Sequence, residues 1–257
     1  MTPFDGPALE IPAAWRAAVA AMRGEHTPGG AREVELVRLP TCDAQLIVHV
    51  TPGGAAKASV AGPSTTAKYR RIVPGPFYVQ LVLRPEAARS VLGAPLHTLA
   101  DRVVDLEDLW GAPARALIER AVMRRAAPQA AVRAIEGELA RRIGDRTRRA
   151  DLARLAADRL RAAPATSLAR LAAELGASER GLRQAFLDHI GVSPKRFARI
   201  ARVRRVVAAA GTARWAQLAA AHDFYDQAHL NAEFRALLGV TPGQLVAGEL
   251  PFTRPAA

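Results

Sequence analysis

Three runs in the first third of the chain carry the apolar and β-branched residues of strands: Val34 to Leu39, Gln45 to Val50 and Phe77 to Leu83. Pro52-Gly53-Gly54, Gly62-Pro63-Ser64 and Pro74-Gly75-Pro76 break this segment, so hairpins or meanders are expected. From Pro85 the spacing turns helical, first over Glu86 to Leu92. The acidic-apolar stretch Asp101 to Trp110 then reads as the close of a small β-rich domain near Gly111. Pro113 suits the first turn of a helix, and Pro128 and Pro164 interrupt the helical spacing beyond it, which predicts about three helices through Ala163.

The pattern is sharpest in the last third. Leu168 to Leu175 reads as a short amphipathic helix and Gly176-Ala177-Ser178 as a tight turn. Glu179 to His189 comes next as a second helix, with Leu182, Phe186 and Ile190 at apolar spacing. Each turn residue has a physical task. Ala172 is small where the second helix crosses, Gly176 supplies left-handed backbone, and Ser178 caps the second helix by accepting a backbone N–H. The unit then recurs. Leu218-Ala219-Ala220-Ala221 repeats Leu171-Ala172-Ala173-Glu174, and Leu230 with Phe234 repeats Leu182 with Phe186. Ile190-Gly191-Val192-Ser193-Pro194 is echoed by Leu238-Gly239-Val240-Thr241-Pro242, so each copy stops at a glycine and restarts with a proline.

Between the copies, Pro194 to Ala210 reads as one helix. Phe197, Ile200, Val203 and Val207 are expected inside, with Arg196, Arg199, Arg202, Arg204 and Arg205 on the remaining surface. Such a rod is about 24 Å long. It could hold two helices near successive major grooves, which recur about every 34 Å along one face of a duplex.

Half the residues are apolar, aromatics are only 5%, and Ala and Arg dominate the 257 positions, which favours a folded and largely helical protein. The expected class is α+β, with a β-rich domain over residues 1–111, a helical connector over 112–165 and an all-α double helix-turn-helix over 166–250. The formal charge of +12 would draw a polyanion to the surface. The excess is 13 basic against 6 acidic residues over 112–161 and 12 against 7 over 166–257, so charge alone does not locate a binding face. Cys42 is the only cysteine, which rules out an intramolecular disulfide and a multi-cysteine zinc site and fits a reducing cytoplasm. Met1 to Glu10 has no basic leader, and no run of about 18 uncharged apolar residues comes after it, so neither export nor a membrane span is expected.

The chemistry on offer is recognition. On the outer face of the first unit's second helix stand Arg180, Arg183 and Gln184, which can present forked donors or an amide pair to guanine and adenine edges. The six histidines show no metal-ligand spacing. His49 reads as a satisfied core or pocket-wall residue and His189 as the C-terminal end of a helix. No catalytic constellation and no cofactor site emerge. Asp43, His49 and Arg84 are the obvious polar side chains among the strands, and they are the candidates for an effector pocket.

Residues 167–248, with Phe224-Tyr225-Asp226-Gln227-Ala228-His229-Leu230 near their end, resemble the C-terminal domain of the AraC/XylS family of bacterial transcription regulators. The resemblance implies that two helices enter adjacent major grooves. The matching base-reading positions are Arg180, Arg183 and Gln184, then Gln227, His229 and Asn231 with Ala232. Ser178, Lys195, Arg196, Arg199, Arg202 and Arg205 fall to the DNA backbone, Arg202 matching the family's linker arginine. The chain departs from the family in having Asp223 for the usual Gly and Ala232 for a frequent Arg. Asp tolerates the left-handed turn, but the second helix offers Arg235 against Asp226 and Glu233, so the first unit is expected to dominate specificity.

Leu36 to Trp110 is similar to a sensor-type domain found ahead of this module in some family members. The matching stretches are Leu39 to Val50, Val82 to Pro85, Leu92 to Leu96 and Leu99 to Gly111, and they imply a half-barrel-like β domain. Double-stranded DNA is the implied partner; a small-molecule effector, a second copy of the chain and RNA polymerase are further partners left open, and no membrane is expected. The N-terminal domain could sense a ligand or only dimerise. An enzyme fused to the DNA-binding module is the third reading, and a single cysteine excludes the family's alkyl-DNA repair protein, which needs a zinc-binding cysteine cluster.

Overall fold

A computed structural model describes residues 7–26, 33–51, 55–73, 75, 77–123, 128–144 and 147–253. The expected break at Pro52-Gly53-Gly54 lies outside them, as do Pro74 and Pro76. Among the described residues seven strands form, in chain order: β1 Val19–His26, β2 Val34–Arg38, β3 Gln45–Val50, β4 Ala56–Ala61, β5 Lys68–Ile72, β6 Phe77–Leu83 and β7 Val103–Asp105. Five of them make one antiparallel sheet in the order β1-β6-β3-β4-β7, while β2 and β5 pair apart. The sheet is open, with β1 and β7 at its edges, rather than a closed barrel.

The most apolar run, β6, is buried along nearly all of its length between β1 and β3, with Leu46 opposite Leu81 and Val48 opposite Val79. Burial on both faces is what a continuous apolar run requires. Four strands, β1, β4, β5 and β7, fall outside the three expected runs. β1 and β4 are rich in alanine and pair because the apolar ladder of β3 and β6 lies beside them. Of the hairpins or meanders expected, the described residues show consecutive strands paired only at β3 and β4, joined as a hairpin closed by Thr51 N–H on the Ala55 carbonyl at 2.8 Å.

Eleven α-helices are found among the described residues: α1 Pro85–Leu92, α2 Leu106–Trp110, α3 Ala112–Met123, α4 Pro128–Arg142, α5 Arg148–Ala162, α6 Leu168–Glu174, α7 Glu179–His189, α8 Pro194–Ala208, α9 Trp215–Ala221, α10 Gln227–Leu238 and α11 Pro242–Ala247. None is long and apolar enough to cross a membrane. They partition among three cores. α1 to α4 and Trp15 cover the sheet, with Leu92, Leu106, Leu117, Ile135 and Leu139 essentially inaccessible. α5, α6, α7 and the first turns of α8 share a second core around Leu182, Phe186 and Phe197, the two phenyl rings meeting edge to face at 5.5 Å. The later turns of α8 join α9 and α10 around Val203, Leu230 and Phe234. The helical connector is therefore divided, α3 and α4 lying on the sheet and α5 on the first helix-turn-helix.

α8 stops at Ala208, two residues short of the expected end. Val206 rather than Val207 is fully buried. Both positions lie about one turn beyond Val203, and the second unit's core lies on the side of the three-residue step.

The sheet domain grips both halves of the helical region. Arg89 on α1 pairs with Asp188 on α7 at 2.8 Å, and the His97 ring meets the Leu187 carbonyl at 3.3 Å. Gly191 closes the first unit at φ +84°, where a Cβ would stand 2.7 Å from Pro63 and 2.9 Å from the Leu96 carbonyl, so the domain approaches too closely for any side chain there. On the second unit, the buried Tyr69 hydroxyl donates to the Leu238 carbonyl at 2.7 Å and Ala67 N–H to Leu237 at 2.8 Å.

Candidate nucleic-acid interface

The turn of the first unit has the geometry its residues require. Gly176 adopts φ +61°, Ala172 lies buried under α7, and the Ser178 hydroxyl accepts the Gly181 N–H at 3.0 Å. With Leu182, Ala185 and Phe186 facing the core, Arg180, Arg183 and Gln184 are left exposed on one side of α7. Arg180 makes no ion pair with a described residue, whereas the Arg183 guanidinium is held by Glu179 at 2.6 Å, one turn earlier. Gln184 donates through Nε2 to Asp188 Oδ1 at 3.0 Å.

The second unit copies the frame and changes the face. Asp223 takes φ +63°, the left-handed conformation that Gly176 takes in the first unit. Asp226 caps α10 by accepting the His229 N–H at 2.7 Å. The His229 ring folds back: Nδ1 accepts the Tyr225 N–H at 3.3 Å, and the ring leans on Phe224 at 5.5 Å. Gln227 is exposed, while His229 and Asn231 are half-buried. Tyr225 has no place in the sequence-based set, yet its side chain is 93% exposed at the start of α10. An aromatic residue off the apolar spacing, just before a cap, is the signal that could have found it.

The linker arginines depart from a free basic stripe. Arg196 donates to the Thr65 carbonyl and Arg204 to the Pro40 carbonyl, both at 3.0 Å. Arg199 pairs with the half-buried Glu233 at 2.9 Å. Arg202 donates to the Asp223 carbonyl at 3.0 Å and stacks over the Phe224 ring at 5.3 Å. The reason is crowding: α8 carries side chains into two cores and also meets the sheet domain, so few directions from it reach water. Lys195 is exposed and Arg205 partly so. Arg183, Lys195, Arg199, Arg202 and His229 nevertheless converge on one cleft of 690 Å³ between the units, with Glu233 on its wall.

Residues 171–247 match a family model described as a helix-turn-helix domain. This region is a helix-turn-helix domain. No curated protein matches the chain. Among solved structures, ToxT from Vibrio cholerae is similar at 10% identity and a TM-score of 0.43, over 88% of this chain and 98% of that one. ToxT bound to (E)-4-(8-methylnaphthalen-1-yl)but-3-enoic acid is similar at 11% identity and a TM-score of 0.43, over 88% and 98%. ToxT bound to an unsaturated fatty acid is similar at 11% and 0.39, over 86% and 89%.

Residues 112–257 hold the whole charge excess, because residues 1–111 contain 11 basic and 11 acidic side chains. Of the three effector candidates, Asp43 and Arg84 line a cleft of 580 Å³ between the sheet domain and α5, together with Glu86, Arg154, Asp158 and Arg161. His49 is not part of that lining; it sits on β3 opposite Tyr78 and Lys57, and burial lowers its pKa, helped by the Lys57 charge. Burial, assisted by Asp43, pushes the Cys42 thiol up to about 12, which leaves it unreactive. Among the described residues no group of three or more His, Cys, Asp or Glu is placed to hold a metal ion.

Proposed function

We propose that the protein is a sequence-specific DNA-binding transcription regulator in which α7 supplies the principal reading helix and α10 the lesser one. The observation that carries this reading is the asymmetry of two like-built units on one continuous helix. The first leaves Arg180, Arg183 and Gln184 exposed side by side, whereas the second leaves Gln227 exposed and turns His229 back onto its own turn. Guanidinium forks and an amide are the donors that discriminate guanine and adenine in the major groove. Lys195 and Arg205 supply phosphate contacts, and Arg183 and Arg202 meet in the cleft between the units. Selection of binding sites from random duplexes by the full-length protein tests the proposal. A site with one strongly informative half supports it, two equally informative halves refute the ranking of the helices, and recovery of no common sequence refutes the function.

A second reading concerns the sheet domain. The charged cleft that joins Asp43 and Arg84 to Arg154 and Arg161 suits a small polar molecule, and its position between α5 and the sheet would let such a molecule bias how the domain grips the first unit. A thermal-stability screen of polar metabolites against the full-length chain is expected to find a stabilising compound whose effect is lost in Arg84→Ala. No shift by any compound, with a stable dimer in solution, would favour a domain that only assembles.

A further inference from the structure

Asp188 lies one turn beyond Gln184 on α7 and its side chain is only 9% exposed. Both of its oxygens are used. Oδ1 accepts from Gln184 Nε2 at 3.0 Å, and Oδ2 accepts from Arg89 Nη1 at 2.8 Å. His97, also from the sheet domain, stands 3.9 Å from Oδ1. A carboxylate accepts hydrogen bonds and donates none, so the Gln184 amide must turn its nitrogen inward. What remains for a partner outside is Oε1 and the second N–H, the acceptor-donor pair that fits N6 and N7 of adenine. Arg89 aims the carboxylate: with Oδ2 fixed by the guanidinium, Oδ1 is the oxygen left to hold the amide. Arg89 sits on α1, 99 positions earlier and in another domain.

We propose that Arg89 is a positioning residue for base reading, which sets through Asp188 the amide orientation that Gln184 presents to an A·T pair. Sequence preference then depends on a side chain outside the helix-turn-helix domain. The proposal rests on Gln184 being a base-reading residue, and the test separates the two. Preference at each base pair of the selected site is measured with the full-length chain and the variants Gln184→Ala, Asp188→Asn, Arg89→Ala and Arg89→Lys. Gln184→Ala is expected to lose roughly tenfold preference at one A·T pair. Arg89→Ala and Asp188→Asn are expected to lose preference at that same pair, with Arg89→Lys retaining part of it. Adding Arg89→Ala to Gln184→Ala should cost nothing more there.

A merely structural role for Arg89 would weaken all sequences alike. Should Arg89→Ala fail to fold because Asp188 is left buried without its partner, Asp188→Asn carries the test, since it removes the charge at constant size. If Arg89→Ala and Asp188→Asn leave the pair read by Gln184 unchanged while Gln184→Ala relaxes it, the positioning role is overturned and the DNA-reading function stands. If Gln184→Ala relaxes no position, the base-reading role of Gln184 is overturned and the proposal falls with it.

Discussion

Arg183 already has a partner, Glu179, so a base contact must exchange one charged hydrogen bond for another. Arg183→Ala is expected to cost about 1 to 3 kcal/mol on the selected site and to relax one position. Arg205→Ala, a phosphate contact on this reading, is expected to weaken specific and random DNA alike and to lower the salt slope by about one. Fluorescence anisotropy over a range of salt checks both; equal losses for Arg183→Ala on the two DNAs would count against a base contact. At His189, burial lowers the imidazole pKa below its ordinary 6.5, with Arg89 and Arg149 adding to the shift and Asp188 opposing it; His49 is lowered the same way, by burial and Lys57. Each ring holds its proton less tightly in the fold than in the unfolded chain, which takes it up near 6.5. Their stabilisation is therefore full above that value and is lost as pH falls below it towards the folded pKa. Thermal melts between about pH 7.5 and about pH 5.5 should show a falling Tm, with a smaller fall in His49→Gln/His189→Gln. An unchanged fall in that double variant would refute the assignment.

At the scale of elements, the two helix-turn-helix units were legible because their turns combine residues with separate and unavoidable tasks. Ala172, Gly176 and Ser178 each answer one local requirement, and the Gly-x-x-Pro punctuation repeats it. Ser178→Ala removes the cap on α7 and is expected to destabilise the chain by about 1 kcal/mol, with Ser178→Gly costing only a few tenths. Urea denaturation measures this, and an undiminished midpoint in the alanine variant would deny the hydroxyl its role. The strands β1 and β4 were illegible for the opposite reason. Sequences such as AKASVA have little intrinsic preference for a strand and acquire it from the neighbours they pair with. The arginines of α8 show the same limit. Their spacing placed them on a surface, but the carbonyls that hold Arg196 and Arg204 lie 131 and 164 positions away, beyond anything helical periodicity can report. Asp43 and Arg84 converge on one cleft for a related reason, being the ends of loops that the sheet brings together, while His49 of the same expected set stays with its strand.

At the scale of the molecule, residues 1–111 are charge-balanced and residues 112–257 carry the whole excess of +12, part of it on α3 and α4, which cover the sheet. Long-range attraction to a polyanion thus acts on the helical region, and the sheet domain's influence on binding must pass through contacts such as Arg89 with Asp188 and Tyr69 with Leu238. The helix α8 has a further consequence. Its 15 residues span about 22 Å, and it contributes Phe197 to one core and Val203 to the next without a break. On the proposed function it works as a caliper, with the gap between α7 and α10 set by one continuous helix. One extra base pair between the half-sites turns the second by about 35° and moves it about 3.4 Å. Such an insertion is expected to remove the contribution of α10 altogether, leaving the affinity of a single half-site, and equal binding to both spacings would mean that α8 yields. If the proposed function holds, a promoter that gains or loses one base pair at this point would pass out of reach while every base to be read remains intact.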